Sequence, residues 1–414
     1  MSALVPVAEH LAHVLAAVPS LGTERAVLED ALGRRLAEDV AADVPVPPWD
    51  NSAMDGYAVR HRDLADAAGP VTLTVVADVP AGTALDPPIG PGQAARIMTG
   101  ATLPSDADTV VRLEDTDRTD PLAPLPPSVT VLVVPHAGHH VRRAGEDRAV
   151  GSPVAARGAL LTPTVLAALA AAGRRTVLVA RPPRVAVVAT GSELVPPGST
   201  LAPGQVPDSN GVLVAGLVRE TGGCVVSRRH VGDAPAALAS ALAELGGCDA
   251  VVVTGGVSAG AFDPVRRVFA GSADVTFTAV AMQPGKPQAF GRLPGGALLF
   301  GLPGNPVSAW VSFHAFVRPA LLAMQGAPAD VVHPAPWPVA TAAAWDPPVG
   351  REQHIPVRLL AGPTGWTVRP AAAGGSGSHL VASLAAADGY AVVPAGHGPV
   401  RVGDTVAVHV TSRD

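Results

Sequence analysis

The sequence predicts a multidomain protein of the α/β plus β class, built around a parallel α/β sheet domain. Its 414 residues exceed the length of one ordinary domain. Between residues 184 and 324, apolar strand-like runs alternate with helical runs, which is the pattern of βαβ units. Residues 46–144 instead show short strand-like runs separated by Pro, Gly and Asp turns, and this pattern predicts a small β-rich domain.

Composition and charge exclude several classes of protein. The chain is 48% hydrophobic and 15% charged, as globular proteins are, and its net charge of −6 offers no basic face for nucleic acid. The first 18 residues lack the basic segment of a signal peptide, and the apolar run 163–173 is shorter than the ~20 residues that cross a bilayer. Cys224 and Cys248 show no CxxC spacing. We therefore expect a soluble, cytoplasmic protein without nucleic-acid or membrane partners.

Two helical segments flank the β-rich stretch. Residues 1–45 have a helical period and end at PVPP, where proline stops a helix. Residues 145–180 begin with turns and continue as a helix, with Thr162 as its cap, Pro163 at its first position and Gly173 at its end. Because both flanks are helical, we predict that the β-rich stretch is inserted into one split domain.

The α/β segment predicts a sheet with one functional edge. Its strands are RVAVVAT, CVVSRRHV, DAVVVTGG and ALLFGLPG, and its helices are NGVLVAGLVRETGG, APAALASALAEL and a third that begins near Asn305. This alternation predicts parallel strands with helices on both faces. Ligands on such sheets bind at the carboxyl ends of the strands, so we expect function in the loops that follow them.

Four glycine-rich loops are predicted at that edge, in residues 190–193, 254–260, 283–287 and 301–308. Glycine allows backbone N–H groups to approach an anion closely. Lys286 lies on the short, rigid PGKP turn, which suits a point charge directed toward phosphate or another oxyanion. Any one loop is also explained by a tight turn alone, whereas four on one edge favour an anion site.

Common catalytic motifs are absent from the sequence. It contains no GxxxxGK[ST], no GxGxxG and no HExxH, so a P-loop enzyme, a dinucleotide dehydrogenase and a zincin have no support. The histidines of HAGHH, in residues 136–140, lie in a turn flanked by Pro and Gly without a companion carboxylate. That context favours a solvated loop over a metal site.

A series of motifs carries a family resemblance along most of the chain. In order, these are SAMDGYA, RIMTGATLP, RRAGED, ATGSEL with GQVPDSN, VTGGVSAGAFD, PGKP and GLPGNPVSAW. The chain resembles the MoeA family, the molybdopterin molybdenumtransferases, which includes the gephyrin E domain. Each motif alone is weak, but their shared order and spacing make the resemblance specific.

The resemblance implies an activity and a domain plan. Such proteins insert molybdate into adenylated molybdopterin, with Mg²⁺ assisting, and release AMP and molybdenum cofactor. They are elongated homodimers whose active sites are shared between subunits, and an adenylyltransferase is a further possible partner. The implied domains are a split N-terminal domain (1–45 and 145–180), an inserted β-rich domain (46–144), a molybdopterin-binding α/β domain (181–326) and a C-terminal β-barrel-like domain (327–414).

Matching the motifs residue by residue implies a set of site residues. The implied catalytic residues are Asp55, Asp147, Glu193, Asp233, Asp263 and Lys286. Of these, Glu193 and Asp263 are the implied Mg²⁺ ligands, while a turn cap is an equally good explanation of Asp147. The implied substrate-binding residues are Thr99, Gly100, Thr190, Gly191, Ser192, Gly255, Gly256, Ser258, Gly260, Pro284, Gly285, Pro303, Gly304, Asn305, Ser308, Arg351 and Ser378. Molybdate is expected to meet Lys286, Ser308, Arg351 and Ser378.

The chain departs from the family pattern at three positions, and at one of them, where the family often has Asn, His140 has no evident consequence. Ser192 stands where the family usually has Asp in TGDEL, and its hydroxyl is expected to cap the following helix or to bind phosphate. Gln283 stands where the family commonly has Lys, so we expect weaker attraction of molybdate.

Two other functions remain open on the sequence alone. A non-catalytic scaffold on this fold would leave the site residues without a role. A molybdopterin adenylyltransferase would resemble the α/β domain alone, and the first 180 residues and the C-terminal unit would be unexplained.

Overall fold

The structure is a computed structural model that describes residues 4–257, 263–363, 365–372 and 377–411. It begins with α1 (Val7–Ala16), β1 (Thr23–Val27) and β2 (Val40–Ala41). The prediction of a helical segment throughout residues 1–45 is therefore wrong beyond α1. The strand β1 is formed by pairing with a segment about 150 residues later, and local periodicity carries no information about such a partner.

The inserted segment is β-rich, as predicted. Its strands are β3 (Asn51–Ser52), β4 (Gly56–Val59), β5 (Val71–Val79), β6 (Gln93–Ile97), β7 (Thr109–Arg112), β8 (Ser128–Val131) and β9 (Val141–Arg142). A sheet runs in the order β7-β4-β6-β5-β8, and β3 pairs with β9. Tyr57 is buried in the core of this sheet. Gly56 is required beside it, because a Cβ at this position would collide with the carbonyl oxygen of Val111 on the neighbouring strand.

The chain then returns to the N-terminal segment. It forms β10 (Pro153–Ala155), α2 (Pro163–Ala171) and β11 (Thr176–Ala180). The predicted cap of α2 is present, since Thr162 Oγ1 accepts a hydrogen bond from the N–H of Val165. Antiparallel pairing of β1 with β11 and of β2 with β10 joins the two flanks of the insertion. Their buried side chains share one apolar cluster.

The α/β segment provides the central sheet. Its elements are β12 (Arg184–Thr190), β13 (Leu194–Val195), β14 (Val206–Pro207), α3 (Ser209–Glu220), β15 (Cys224–Val231), α4 (Pro235–Ala243), β16 (Ala250–Thr254), α5 (Pro264–Val268), β17 (Val275–Ala279), β18 (Met282–Gln283), β19 (Pro287–Arg292), β20 (Leu298–Leu302), α6 (Pro306–Ser312), α7 (Arg318–Met324) and α8 (Ala329–Val332). The sheet order is β15-β12-β16-β20-β19-β17. Separate apolar clusters cover its two faces.

This sheet is mixed, which corrects the prediction of a wholly parallel one. The strands β15, β12, β16 and β20 are parallel, whereas β19 and β17 run antiparallel to their neighbours. A short loop joins β19 to β20, with the N–H of Leu293 bonded to the carbonyl of Ala297. A connection this short permits only antiparallel strands, because a parallel pair needs a crossover of about a dozen residues.

The helix after β20 forms the centre of the core. A π-helical turn, Phe313–Val317, connects α6 to α7, so that the helical run Pro306–Met324 is continuous. Among the described residues it is the one helix with the length and apolar composition to cross a membrane, but 83% of it is buried inside the protein. It is a core helix, and the sequence-based search for long apolar helices overlooked it.

The last segment folds as a closed barrel, as predicted. It contains β21 (Trp337–Thr341), β22 (Glu352–Gly362), β23 (Gly365–Pro370), β24 (Gly389–Val393) and β25 (Thr405–Val410). The ring runs β22-β23-β21-β25-β24 and closes through pairing of β24 with β22. The short strand β18 pairs with β22 on the outside of the ring and attaches the barrel to the α/β domain. Single 3₁₀ turns complete the described elements, at Leu28–Asp30, His61–Asp63, Leu113–Asp115 and Val381–Ala386.

One buried histidine makes the stability of this core depend on pH. His314, in the π-helical turn, is 7% exposed, and burial together with the nearby Arg318 and His409 lowers its pKa from 6.5 to about 3. The unfolded chain therefore takes up a proton between these two values while the folded protein does not. The contribution of this residue to stability is complete above pH 6.5 and is lost as the pH falls toward 3.

We predict that His314→Phe makes the stability less dependent on pH. Between pH 7 and pH 5 the wild-type protein is expected to lose ~2 kcal/mol through this residue, and the variant is expected not to. Urea unfolding at pH 7, 6 and 5 measures the difference. His397→Gln, at an exposed loop position, should behave as wild type. Equal pH dependence in His314→Phe and wild type would contradict the prediction.

Candidate active site

A cavity of about 800 Å³ lies at the carboxyl ends of the parallel strands. The loops after β12, β16 and β20 line it, as does Pro287 at the start of the antiparallel strand β19. The antiparallel direction of β19 brings its first residue to the edge at which its parallel neighbours end. The four predicted loops therefore do meet at one edge, although one of them arrives from the opposite direction.

The cavity brings together many of the residues that the sequence singled out. The predicted residues that line it are Thr190, Gly191, Glu193, Asp233, Gly255, Gly256, Asp263, Pro303, Gly304, Asn305 and Ser308. Lys286, Pro284 and Gly285 lie on the turn that leads to Pro287, beside this lining. Ser258 and Gly260 lie outside the described residues.

The loops after β12 and β16 touch at Thr190 and Gly255. Gly255 has φ +91°, and a Cβ there would lie 2.6 Å from Thr190 Oγ1 and 2.7 Å from the Thr190 carbonyl oxygen. The Thr190 hydroxyl donates to the carbonyl of Thr254. A Cβ on Gly304 would in turn lie 3.4 Å from the Cα of Gly255. Glycine is needed at position 255 for two reasons, the positive φ and the lack of space.

Ser192 holds the loop after β12 to Asp233, which lies just before α4. Its N–H donates to Asp233 Oδ2 at 2.9 Å, and its hydroxyl accepts from the N–H of Asp233 at 3.1 Å. His230 Nε2 lies 2.7 Å from the carbonyl of Gly191 and fixes the same loop. The expected role of the hydroxyl as a helix cap is not seen, because Asp208 caps α3 and no side chain caps α4. Ser192 instead forms this reciprocal pair, which orients Asp233 at the cavity.

Three carboxylates line the cavity, but they are not gathered into a cluster. Glu193 is exposed and folds back over Gly191, where a Cβ would lie 2.5 Å from its carboxylate. Asp263 occupies the position before α5. Among the described residues no group of three or more His, Cys, Asp or Glu is arranged to hold a metal. One or two carboxylates fit Mg²⁺ when substrate phosphates and water complete its coordination.

Asn210 is a site residue that sequence reasoning missed. It is 8% exposed, lines the cavity, and donates from Nδ2 to the carbonyl of Gly304 at 2.6 Å, while its Oδ1 is buried without a partner. The Thr254 hydroxyl oxygen, at the end of β16, is also buried without a partner. Buried polar atoms are rarely left unpaired, so Asn210 Oδ1 marks a position for substrate or water at the cavity, whereas Thr254 is not among the lining residues. The signal in the sequence was GQVPDSN, in which Asp208 caps α3 beside Asn210.

Lys286 carries a second signal that was missed. It is the only lysine among the 414 residues, and all the other residues counted as Lys or Arg are arginines. Its side chain is exposed, and its carbonyl accepts from the N–H of Val280 at 2.8 Å. Gln283, at the start of the same turn, has its Oε1 buried without a partner and does not line the cavity.

The C-terminal domain closes one side of the cavity. The carbonyl of Ser378 accepts from the N–H of Val307, and its hydroxyl accepts from Asn305 Nδ2 at 3.0 Å, so Ser378 holds the start of α6. His379, which sequence reasoning also missed, lines the cavity directly. Arg351 precedes β22, next to the segment that carries the Lys286 turn. Ser378 and Arg351 are therefore near the site without lining the cavity.

The remaining predicted residues lie in other parts of the subunit. Asp55 Oδ1 accepts from the N–H and the hydroxyl of Thr99, at 2.7 and 2.8 Å, in the inserted domain next to Gly100. Asp147 is exposed on a turn and pairs with the adjacent Arg148 at 3.0 Å. None of these residues lines the cavity. A turn explains the local structure of Asp147.

Comparison with known proteins identifies the family. Three family models match the chain: "MoeA N-terminal region (domain I and II)" over residues 5–173, "Probable molybdopterin binding domain" over 186–323 and "MoeA C-terminal region (domain IV)" over 338–411. Molybdopterin molybdenumtransferase 2 of Mycobacterium tuberculosis H37Rv is 43% identical over 311 residues, which cover 73% of this chain and 75% of the relative. The chain belongs to the MoeA family.

Other members support this assignment. The molybdopterin molybdenumtransferase of a Nostoc species is 39% identical over 310 residues, covering 73% of this chain and 70% of that protein. The molybdopterin biosynthesis MoeA protein of Pyrococcus horikoshii OT3 superimposes with a TM-score of 0.81 at 28% identity, over 99% of this chain and 100% of that one. The resemblance and the fold class inferred from the motifs are thus confirmed.

We predict that Gly255→Ala disrupts this MoeA site and that Gly271→Ala does not. Both glycines have positive φ, but a Cβ on Gly271 would meet nothing within 4 Å. Strain at φ costs each variant ~1–2 kcal/mol, and only Gly255→Ala must also push the Thr190 loop away. Urea unfolding and AMP release measure the two effects. Equal losses in both variants would show that the contact with Thr190 is unimportant.

Proposed function

We propose that this MoeA-family protein is a molybdopterin molybdenumtransferase of molybdenum cofactor biosynthesis. It takes molybdate and adenylated molybdopterin, cleaves the adenylate with assistance from Mg²⁺, and yields molybdenum cofactor and AMP. The observation that carries the proposal is one cavity in which glycine-rich strand-end loops and three carboxylates meet beside the only lysine of the sequence.

The strand-end loops suit the phosphate part of the substrate. Gly191, Gly255 and Gly256 expose backbone at the cavity, and each has a positive φ that turns the chain sharply at its strand end. The N–H groups of Gly191 and Gly255 are bonded to the carbonyls of Val231 and Leu302, so these two glycines give a phosphate room to approach, and the N–H of Gly256 is the backbone donor proposed to meet it. Asn210 and Thr190 add fixed polar groups that orient the substrate in this pocket.

Mg²⁺ would be held by Glu193 and Asp263, with Asp233 on the same wall of the cavity. When bound, the ion neutralises the charge of the phosphates during cleavage of the anhydride bond. The residues of the chain orient the adenylate and exclude water from the reacting groups, and these tasks fall to the loops and to the C-terminal side of the cavity.

The molybdate position is proposed at the Lys286 end of the cavity. Ser308 is buried in the first turn of α6 and lines the cavity, and Lys286 lies on the adjoining turn. Arg351 and Ser378 complete this group from the C-terminal domain. A small dianion needs several donors and at least one cation, which this group supplies. Because Gln283 replaces a second cation, affinity for molybdate is expected to be modest.

The complete site is proposed to form in a homodimer. Asp55 and Thr99 lie outside the cavity of their own subunit, and the family resemblance brings their loop to the cavity of the partner. The enzyme is proposed to act in the cytoplasm, where an adenylyltransferase would supply its substrate. The scaffold and adenylyltransferase alternatives are less favoured, because the carboxylates persist and all three MoeA regions are present.

We predict that AMP is released from adenylated molybdopterin only when both molybdate and Mg²⁺ are present. Chromatography of AMP measures the reaction. Glu193→Gln should lower the rate by at least ~100-fold while leaving the unfolding midpoint nearly unchanged, since Glu193 is exposed. Exposed Glu244→Gln is the matched control. No AMP release from the wild-type protein would favour a scaffold, and use of ATP to adenylate molybdopterin would favour the adenylyltransferase.

We predict that Asp55→Asn and Lys286→Gln are each inactive alone but complement each other in mixed dimers. If each site combines Asp55 of one subunit with Lys286 of the other, co-expression restores about one quarter of wild-type activity, from one intact site in half of the dimers. Lys286→Gln with Glu193→Gln is the control and should restore nothing. Absence of recovery in the first pair would show that the site is not shared in this way.

A further inference from the structure

The turn that carries Lys286 rests on a buried amide. Gln288, in β19, is 2% exposed, and its Nε2 donates to the carbonyl of Gly285 at 2.6 Å and to Ser312 Oγ at 2.7 Å. Ser312 is fully buried in α6. One side-chain amide thus joins the backbone residue immediately before Lys286 to the central helix of the domain.

Close packing at Gly285 restricts the backbone of the turn. Gly285 has φ +108°, and a Cβ there would lie 3.0 Å from Ser312 Oγ and 3.1 Å from Met282 Cε. The backbone of the turn is therefore pressed against the helix. The hydrogen bonds from Gln288 set the distance between the turn and α6, because they connect the Gly285 carbonyl to the Ser312 hydroxyl.

The same helix forms a wall of the cavity. Ser308 lines the cavity and lies one helical turn before Ser312, on the same face of α6. Gln288 bonds the turn to Ser312, and Ser312 lies on the same helix as Ser308. These hydrogen bonds therefore set the distance between the Lys286 backbone and Ser308. These are the two residues proposed to meet molybdate from the α/β domain.

We propose that Gln288 is a positioning residue that fixes the Lys286 turn at the distance from Ser308 which a small oxyanion requires. The amide does not line the cavity and acts only through the turn. This inference rests on the proposed function for its oxyanion, but the link between Gln288 and Lys286 is a property of the fold that can be tested separately.

The chain offers a matched control for a purely structural effect. Gln325 is 5% exposed in the same domain, and its Nε2 also donates two hydrogen bonds, to the carbonyls of Thr221 and Leu321, both at 2.9 Å. It lines a different cavity, one bounded by Thr221 and Gly222 rather than by the strand-end loops. Gln325→Leu removes the same number of buried hydrogen bonds as Gln288→Leu, away from Lys286.

The first measurement is the molybdate half-saturation of AMP release in the full-length protein. Gln288→Leu is expected to raise it by about tenfold, because small displacements of a binding group are costly, with a smaller change in the half-saturation for adenylated molybdopterin. Ser312→Ala, which keeps the bond to Gly285, should give a smaller rise and serves if Gln288→Leu does not fold. Gln325→Leu should leave the molybdate value unchanged. An unchanged value in both Gln288→Leu and Ser312→Ala, or an equal rise in Gln325→Leu, would overturn the proposal.

The second measurement separates this inference from the proposed function. Since Lys286 is the only lysine, reductive ¹³C-methylation labels one side-chain amine besides the N-terminus. Its methyl resonance should shift in Gln288→Leu and not in Gln325→Leu, without any substrate present. An unshifted resonance in Gln288→Leu overturns the positioning role. If Lys286→Gln leaves the molybdate half-saturation unchanged, the proposed oxyanion role of Lys286 fails instead.

Discussion

The contact between the Thr190 and Gly255 backbones is the constraint on which the rest of the site depends. Two parallel strands end side by side, and their loops are so close that position 255 has no room for a Cβ. Gly304, after β20, approaches the same point. Because the loops are held by backbone contact, and the N–H groups of Gly191 and Gly255 are bonded to the carbonyls of Val231 and Leu302, the backbone at this edge has a fixed position. A backbone held in this way does not have to reorganise when a ligand binds.

Two further sets of contacts hold the other domains in place. On one side the barrel attaches to the sheet domain through β18 and β22, and Ser378 holds the start of α6. On the other, the split N-terminal domain ties the flanks of the insertion together, so that the insertion is fixed at both of its ends. The Glu193 loop follows β12 and the Lys286 turn precedes β19, so the cavity lies between loops that belong to different strands of one sheet.

The sequence pattern was sufficient to predict elements whose partners are close. It was insufficient where the formation of an element depends on pairing with a distant segment. The strands β12 and β16 were predicted because buried parallel strands read as continuous apolar runs. The strand β1 was not predicted, since its partner is β11. For the site, glycine-rich loops at strand ends were visible in the sequence. The unpaired Oδ1 of Asn210 was not, because it depends on which groups the fold leaves without a partner.

The proposed oxyanion role of Lys286 gives a physical reason for lysine at this position. Arginine serves in the ion pairs that hold the fold, such as the two-pronged contacts of Arg112 with Asp115 and of Arg181 with Asp249. Its planar fork suits a fixed carboxylate partner. An ammonium is compact and can turn its donors toward a tetrahedral anion that arrives and leaves. In a protein that uses arginine at its other Lys/Arg positions, the single lysine stands where the backbone is fixed and the side chain is exposed. The position of the Lys286 ammonium must therefore be set by the turn that carries it, because the ammonium has no planar fork to orient it.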